Sequence, residues 1–292
     1  MKISLITDEI SADPETAIEL GAQWGVHDFE LRGFFAERVP RLSSYQRRHL
    51  HDVLDQYQAH VVGIGSGLFK IAAPPARPQR LPLAWMERSA HDNWAAAQVL
   101  LHQHLNELLP ASLDFANEFG ASLVVIFGFD RAGAPAGQAP EQVLNYLRQA
   151  AERARAAGLQ LALENEDGFW ADTGAHTAQV VSAVNDPGLG VNWDPGNAFF
   201  AGDTPYPPGY NDVRRLVRHV HFKDARRDPG GSLQYVVDGQ IDWAGQIQAL
   251  AQDRYEGFIS IETHVQPKVE AGMAALKRLR AMLEAATLTA NA

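Results

Sequence analysis

Residues 159–164 read LQLALE, an apolar run that stops at Glu164. The same figure recurs downstream. LGVNWD (189–194) stops at Asp194, RHVHFKD (218–224) carries His221, and GFISIE (257–262) stops at Glu262. Parallel strands deliver the residues at their C-terminal ends to one face, which is where active sites of eight-stranded α/β barrels sit. Two glutamates, one aspartate and one histidine converging there make an oxygen and nitrogen site for a divalent cation. The pattern therefore points to an enzyme.

Working outward, apolar runs alternate with helical patterns along the whole chain. Strands are expected at KISLIT (2–7), DFELR (28–32), HVVGIGS (60–66) and SLVVIFG (122–128), ahead of the four already named. Asp13-Pro14 reads as an N-cap and first helical residue for ETAIELGAQWG. A long helical stretch spans about 87–119, with Pro110 as a kink or break. The Pro-rich segment APPARPQRLP (73–82) reads as loop. Further helices are expected from Pro140 to Gly158, over TAQVVSAV (177–184), from Asp242-Trp243, and after Glu262. This makes eight strand–helix units and predicts a single-domain α/β chain over 1–292, a (β/α)8 barrel. The steps from Glu164 to Asp194 to His221 are close to the ~31 residues of one such unit. Continuous Val/Ile/Leu runs suit strands covered on both faces. A doubly wound open sheet is the alternative, but it would need a Gly-rich loop after strand 1, where Thr7-Asp8-Glu9 stands.

Composition narrows the function classes. The chain has 292 residues, a formal net charge of −10 and 46% hydrophobic residues, enough for a sizeable core. The acidic balance argues against a duplex nucleic-acid partner. With no cysteine, disulfides and thiolate metal sites are excluded. MKISLITDEI is a strand pattern rather than a signal sequence, and no run approaches the ~20 apolar residues of a membrane helix. A cytoplasmic protein that binds no membrane is the expectation, with homo-oligomerisation open.

Each strand-end residue has an ordinary reading beside the chemical one. Glu164 can cap the loop Asn165-Glu166-Asp167-Gly168, and Asp194 before Pro195-Gly196-Asn197 can form an Asx-turn. His219 and His221 share strand parity, so both face the interior. His219 reads best as a hydrogen-bonded core histidine. Lys223 shares that parity and can reach a substrate oxygen; Asp224 either orients a neighbour or opens the loop. His264 shares parity with Glu262 and either lines the pocket or lies on the surface. Trp170, Trp193 and Phe199 are candidate apolar walls or plain packing. Loops 68–85 and 201–212 are candidates to shape the pocket or a subunit contact.

At LENE (163–166), VNWDPGN (191–197), HVHFKD (219–224) and IETH (261–264) the chain resembles the xylose isomerase-like TIM-barrel superfamily. That group includes D-tagatose 3-epimerase-type enzymes, inosose dehydratase-type enzymes and endonuclease IV. TDEIS (7–11), ELR (30–32) and IGSGLFK (64–70) add to the likeness. The resemblance implies one metal ion on Glu164, Asp194, His221 and Glu262, with the glutamates also on opposite sides of the substrate carbon. It places a substrate-binding arginine at Arg227, with Arg226 adjacent. Where epimerases and the nuclease carry a histidine three residues after the strand-6 aspartate, this chain has Asn197. The nuclease's further zinc ions need histidines after strands 3 and 4; GSGLFK (65–70) and GFDRAG (128–133) have none.

The resulting expectation is a sugar or sugar-phosphate isomerase or epimerase. One Mn²⁺, Mg²⁺, Co²⁺ or Zn²⁺ ion would stabilise an enediolate, with Glu164 and Glu262 as acid and base. Asn197, Lys223, Arg227, His264 and Trp170 would contact a small sugar or polyol. The alternatives are a keto-polyol dehydratase using the same ligands, an abasic-site endonuclease, and a non-catalytic sugar-binding barrel.

Overall fold

The computed structural model describes residues 1–74 and 88–290. The first strand, β1 (Lys2–Ile6), leads through a 3₁₀ turn into α1 (Pro14–Gln23), whose first turn is closed by Asp13 accepting from the Thr16 N–H at 2.9 Å. After β2 (Asp28–Leu31) comes a small hairpin, β3 (Gly33–Phe34) and β4 (Glu37–Arg38). Helix α2 (Ser44–Gln56) opens with a capping box between Ser43 and Gln46 and precedes β5 (His60–Leu68). The expected long helix is split into α3 (Arg88–Gln103), a π turn (His104–Leu108) and α4 (Leu109–Glu118). Pro110 lies in the first turn of α4, where its missing N–H costs least.

The remaining units are β6 (Leu123–Phe127), α5 (Glu141–Ala156), β7 (Gln160–Glu164), α6 (Gly174–Val184), β8 (Leu189–Trp193) and the short α7 (Pro195–Phe200). A π turn (Pro205–Gly209) and α8 (Tyr210–Val213) occupy much of the loop expected at 201–212. Next come β9 (Val217–Phe222), the hairpin β10 (Asp224–Arg227) and β11 (Leu233–Val236), α9 (Trp243–Gln252), β12 (Phe258–Ile261) and α10 (Lys268–Ala290). Most of the Pro-rich segment 73–82, and residues 75–85 of the expected loop, lie outside the described residues.

Eight strands close into a parallel barrel in the order β1, β12, β9, β8, β7, β6, β5, β2. Closure is made by β1 against β12, with Lys2 to Leu5 in register with Phe258 to Ile261. The expected α/β barrel is the observed fold, and all eight expected strands are its staves.

Two layers of burial follow. Between barrel and helices lies the main core, with Phe29, Val124, Ile126, Leu161, Leu163, Val191, Val220 and Ile259 at 0% exposure. Each helix supplies one apolar face; α5 contributes Val143, Leu144, Leu147, Ala150, Ala151 and Ala154. Inside the barrel Leu123, Val125 and Ala162 form a small apolar cluster, and Phe127 continues it toward the mouth. Much of the remaining interior among the described residues is polar and hydrogen-bonded. Ser4 and Ser260 hydroxyls lie 2.7 Å apart, and His219 Nε2 meets Ser260 Oγ at 2.8 Å and Glu30 Oε2 at 3.0 Å. An interior normally filled by branched apolar layers is here given over to groups that hold a site.

Candidate metal centre

Strand parity decides which residues meet at the C-terminal mouth of the barrel. On β7, β8, β9 and β12 the inward positions run out at Glu164, Asp194, His221 and Glu262, and all four are buried. One ligand atom from each lies within 4.8 Å of every other. His221 Nδ1 stands 3.1 Å from Glu262 Oε2, 3.6 Å from Glu164 Oε2 and 3.9 Å from Asp194 Oδ2. Donors at ~2.0–2.2 Å from one ion can be no more than about 4.4 Å apart, so these distances fit a shared cation.

The capping reading of Asp194 is borne out on one oxygen, and the other oxygen faces the cluster. Its Oδ1 caps α7 by accepting from the Asn197 N–H at 2.8 Å, and its Oδ2 is buried without a hydrogen bond. His221 Nδ1 and Glu262 Oε2 are likewise buried without one. Lys223 Nζ approaches Asp194 Oδ2 at 2.9 Å and Glu262 Oε2 at 2.8 Å, an ion pairing that misses hydrogen-bond directions. Two buried carboxylate oxygens and one imidazole nitrogen aimed at one space, of hard and borderline chemistry, suit a divalent ion.

The supporting shell is extensive. Glu30 Oε2, at the end of β2, lies 3.0 Å from His221 Nε2 and turns the other ring nitrogen to the site. Asn165 and Asp194 exchange two hydrogen bonds, Asn165 Nδ2 to Asp194 O at 2.7 Å and Asp194 N to Asn165 Oδ1 at 2.9 Å. They tie the ends of β7 and β8 together. Asn197 donates its amide to Glu164 Oε1 at 3.1 Å and to Asn165 O at 2.9 Å, and accepts from Tyr235 Oη at 3.2 Å. Arg32 is held by three carboxylates, Asp8, Glu9 and Glu262.

Charge is distributed unevenly among the four converging residues. Burial pushes Asp194 up to about 7 despite Lys223 beside it. Burial also works against ionising Glu262 and Glu164, but Lys223, His221 and Arg32 hold Glu262 well below the usual carboxylate range, and His221 holds Glu164 low. Burial opposes a charge on His221 and Lys223, yet the surrounding carboxylates raise both well above their ordinary values. These carboxylates favour the charged form of His221, so a cation held at Nδ1 would displace a proton.

A cavity of about 240 Å³ opens on this cluster. Asn197, Lys223 and His264 line it, as does Tyr235. Asn197 spends its side chain on Glu164. His264 Nδ1 bonds Glu9 Oε1 at 2.9 Å, and its Nε2 stands 3.4 Å from Glu262 Oε1. Arg227 is placed elsewhere. Hairpin β10–β11 buries Asp224 and Ala225 but exposes Arg226 and Arg227, and Arg227 donates to Gly231 O at 2.9 Å instead of lining the cavity. Asp224 anchors that hairpin, accepting from the N–H groups of Gly239 at 3.0 Å and Ile241 at 3.3 Å and from Arg278 at 2.7 Å. Trp170 packs half-buried against the main core, outside the cavity lining, as do buried Trp193 and half-buried Phe199. Phe127 and Tyr235 supply the aromatic surface instead.

Several cavity residues escaped the sequence reading: Asp8, Glu30, Arg32, Arg38, Lys70, Glu166 and Tyr235. Glu30 and Arg32 end β2 with the same inward parity that singled out the histidines, so that rule would have found them. Tyr235 and Arg38 sit on two- and four-residue hairpin strands that carry no periodic signal.

Comparison with known proteins places this geometry. A model of the xylose isomerase-like TIM barrel matches residues 18–282. The chain belongs to the xylose isomerase-like TIM barrel family. An inosose dehydratase of Lacticaseibacillus casei is 22% identical over 143 residues, 44% of this chain and 48% of that protein. The chain thus matches about half the length of that curated relative. Among solved structures, a D-allulose 3-epimerase from Methylomonas sp. in complex with D-allulose superposes with a TM-score of 0.67 at 16% identity, covering 97% of each chain. The IOLI protein with a bound zinc atom gives a TM-score of 0.68 at 16% identity, over 97% of this chain and 98% of that one. At such identities the structures share the fold. Among the described residues no helix is long and apolar enough to cross a membrane.

Proposed function

We propose that the protein is a divalent-metal-dependent isomerase or epimerase of a small sugar-like α-hydroxy ketone. The observation that carries this reading is the convergence of Glu164, Asp194, His221 and Glu262, three of whose ligand atoms are buried without a hydrogen bond. When bound there, Mn²⁺, Mg²⁺, Co²⁺ or Zn²⁺ would polarise a substrate carbonyl and stabilise negative charge on its oxygen.

The chain's own groups do the proton work. Glu164 and Glu262 reach the cavity from β7 and from the loop after β12, strands three steps apart around the barrel. One takes a proton from the carbon beside the carbonyl and the other returns one, to the opposite face for epimerisation or to the neighbouring carbon for isomerisation. Glu164 is oriented for this by Asn197, and Glu262 by Arg32 and Lys223. His264 and Tyr235 present polar edges to substrate hydroxyls, and burial of the cluster limits competing water.

A dehydratase is the second reading, supported by the partial likeness to inosose dehydratase. It begins with the same proton abstraction and ends in loss of a hydroxyl. Incubation of the metal-loaded protein with a panel of ketoses in D₂O separates the two. Deuterium in recovered sugar supports the isomerase, whereas an unsaturated or deoxy product supports the lyase. Turnover by neither route, with metal bound, would overturn both.

A further inference from the structure

The catalytic cavity adjoins a second pocket of opposite character. Five carboxylates line the first: Asp8, Glu30, Glu164, Glu166 and Glu262. The second, of about 280 Å³, is lined by Arg38, Val39, Arg41, Ser66, Gly67, Lys70, His104 and Leu108, with no carboxylate among the described residues. The two share Arg38 and Lys70 as a common wall. In a chain of net charge −10, an acid-free pocket beside an acidic one is a local reversal that needs a reason.

Its donors are largely uncommitted. Among the strong bases lining the catalytic cavity, Arg32 and Lys223 each meet two or more carboxylates, and Lys70 meets Glu166 at 2.9 Å. Arg38 has no carboxylate partner among the described residues. Its Nε donates to Gly65 O at 2.8 Å, which fixes the guanidinium; its terminal nitrogens make no hydrogen bond among the described residues, although Glu164, Asp8 and Glu262 act on its charge from across the cavity. Glycine makes room for it. At Gly67, with φ +75°, a Cβ would stand 3.2 Å from Arg38 Nε and 3.3 Å from its Cζ. The Ser66 hydroxyl, 4% exposed, is buried without a partner. His104 Nδ1 accepts from the Phe69 N–H at 2.9 Å, which puts the ring proton on Nε2, a further donor.

We propose that this pocket is an anion subsite in which Arg38 and Ser66 bind a carboxylate or phosphate of the substrate, so that the enzyme acts on an acidic keto-polyol. This rests on the catalytic reading only for calling the ligand a substrate. A guanidinium with two free terminal nitrogens grips such a group through two parallel charge-assisted hydrogen bonds. Arg41 adds positive potential, and Lys70, paired with Glu166, closes the wall between the pockets, while the ketone end lies at Glu164 and Glu262.

Calorimetric titration of the metal-loaded protein with D-fructose, 2-keto-D-gluconate and D-fructose 6-phosphate tests this. At least one anionic ligand is expected to bind tenfold or more tighter than fructose, and which one does so tells carboxylate from phosphate. Arg38→Gln should remove that preference, a loss of roughly 10- to 100-fold. Arg38→Lys should restore part of it, and Ser66→Ala, a milder change, should weaken it several-fold. Inorganic phosphate titrated into the protein with EDTA reads the subsite without the metal; Arg38-dependent binding is expected there too. Equal affinities for the three ligands, or a preference that survives Arg38→Gln, would overturn the inference. Metal titration of the same variants reports separately on the catalytic reading, because a subsite can fail while the metal still binds.

Discussion

Glu30 Oε2 sits 3.0 Å from His221 Nε2 and the same distance from His219 Nε2, at the centre of the barrel. This buried carboxylate orients the ring that offers Nδ1 to the candidate ion. Burial alone would raise its pKa, but the two histidines hold it far below the ordinary value. Outer-shell carboxylates of this kind typically affect metal affinity ~10–100-fold. Glu30→Gln is therefore expected to weaken Mn²⁺ or Zn²⁺ binding by about that factor while far-UV circular dichroism is unchanged. Wild-type affinity in the variant would remove Glu30 from the site's design.

Asp194 offers a trade between stability and function. Its ionised form is disfavoured by burial in the folded protein, with the pKa pushed up to about 7, so above the ordinary aspartate value its charge detracts from folding stability. Asp194→Asn removes that cost and keeps the oxygen that caps α7, but it also takes a carboxylate from buried Lys223, 2.9 Å away. Because the two effects oppose, the metal-free variant is expected to melt within about 4 °C of the wild-type midpoint, with Glu262 still paired to Lys223. Added metal should raise the midpoint of the wild type only. A variant that melts far below the wild type without metal, or that still responds to metal, contradicts this reading of Asp194.

Metal affinity should rise with pH. Asp194 keeps its proton to about 7 and His221 keeps its own above the usual histidine range, and both must be lost when a cation enters. Between pH 6 and 8 the apparent affinity is expected to climb by up to about tenfold per unit for each proton displaced. Titrations at several pH values, with proton release followed by buffer-dependent heats, give the number directly. A flat profile would mean that the ligands are already deprotonated.

Asn197 should act on rate more than on metal binding. Its amide donates to Glu164 Oε1 at 3.1 Å, and Tyr235 fixes its other end. Losing a hydrogen bond to a charged group costs ~1.5–3 kcal/mol, or roughly 10- to 100-fold in rate if it acts in the transition state. Asn197→Ala is expected to lower kcat by that amount, leave KM near the wild-type value and still bind metal. A change in KM alone would assign Asn197 to substrate contact, the role its position in the sequence first suggested.

The fold was legible because each barrel strand is an apolar run ended by a polar residue, and each helix carries a one-sided periodic face. The convergence of Glu164, Asp194, His221 and Glu262 was legible for the same reason. Parity carried further than it was used: it places Glu30 and Arg32 inside, and it turns Trp193, next to Asp194, out toward the helices. The hairpins were not legible. Strands of two to four residues have no period, so nothing announced that Arg38 would enter the cavity or that Arg227 would leave it. Asn197 was seen at the site, but its commitment to Glu164 depends on the distance between two loops.

The most direct measurement is anomalous diffraction from crystals grown with Mn²⁺ or Zn²⁺. A single peak is expected among Asp194 Oδ2, His221 Nδ1 and carboxylate oxygens of Glu164 and Glu262, at ~2.0–2.3 Å from each. Peaks only at the other carboxylate–histidine groupings, Glu9, Glu262 and His264 or Glu30, His219 and His221, or no peak at saturating metal, would contradict the proposed centre.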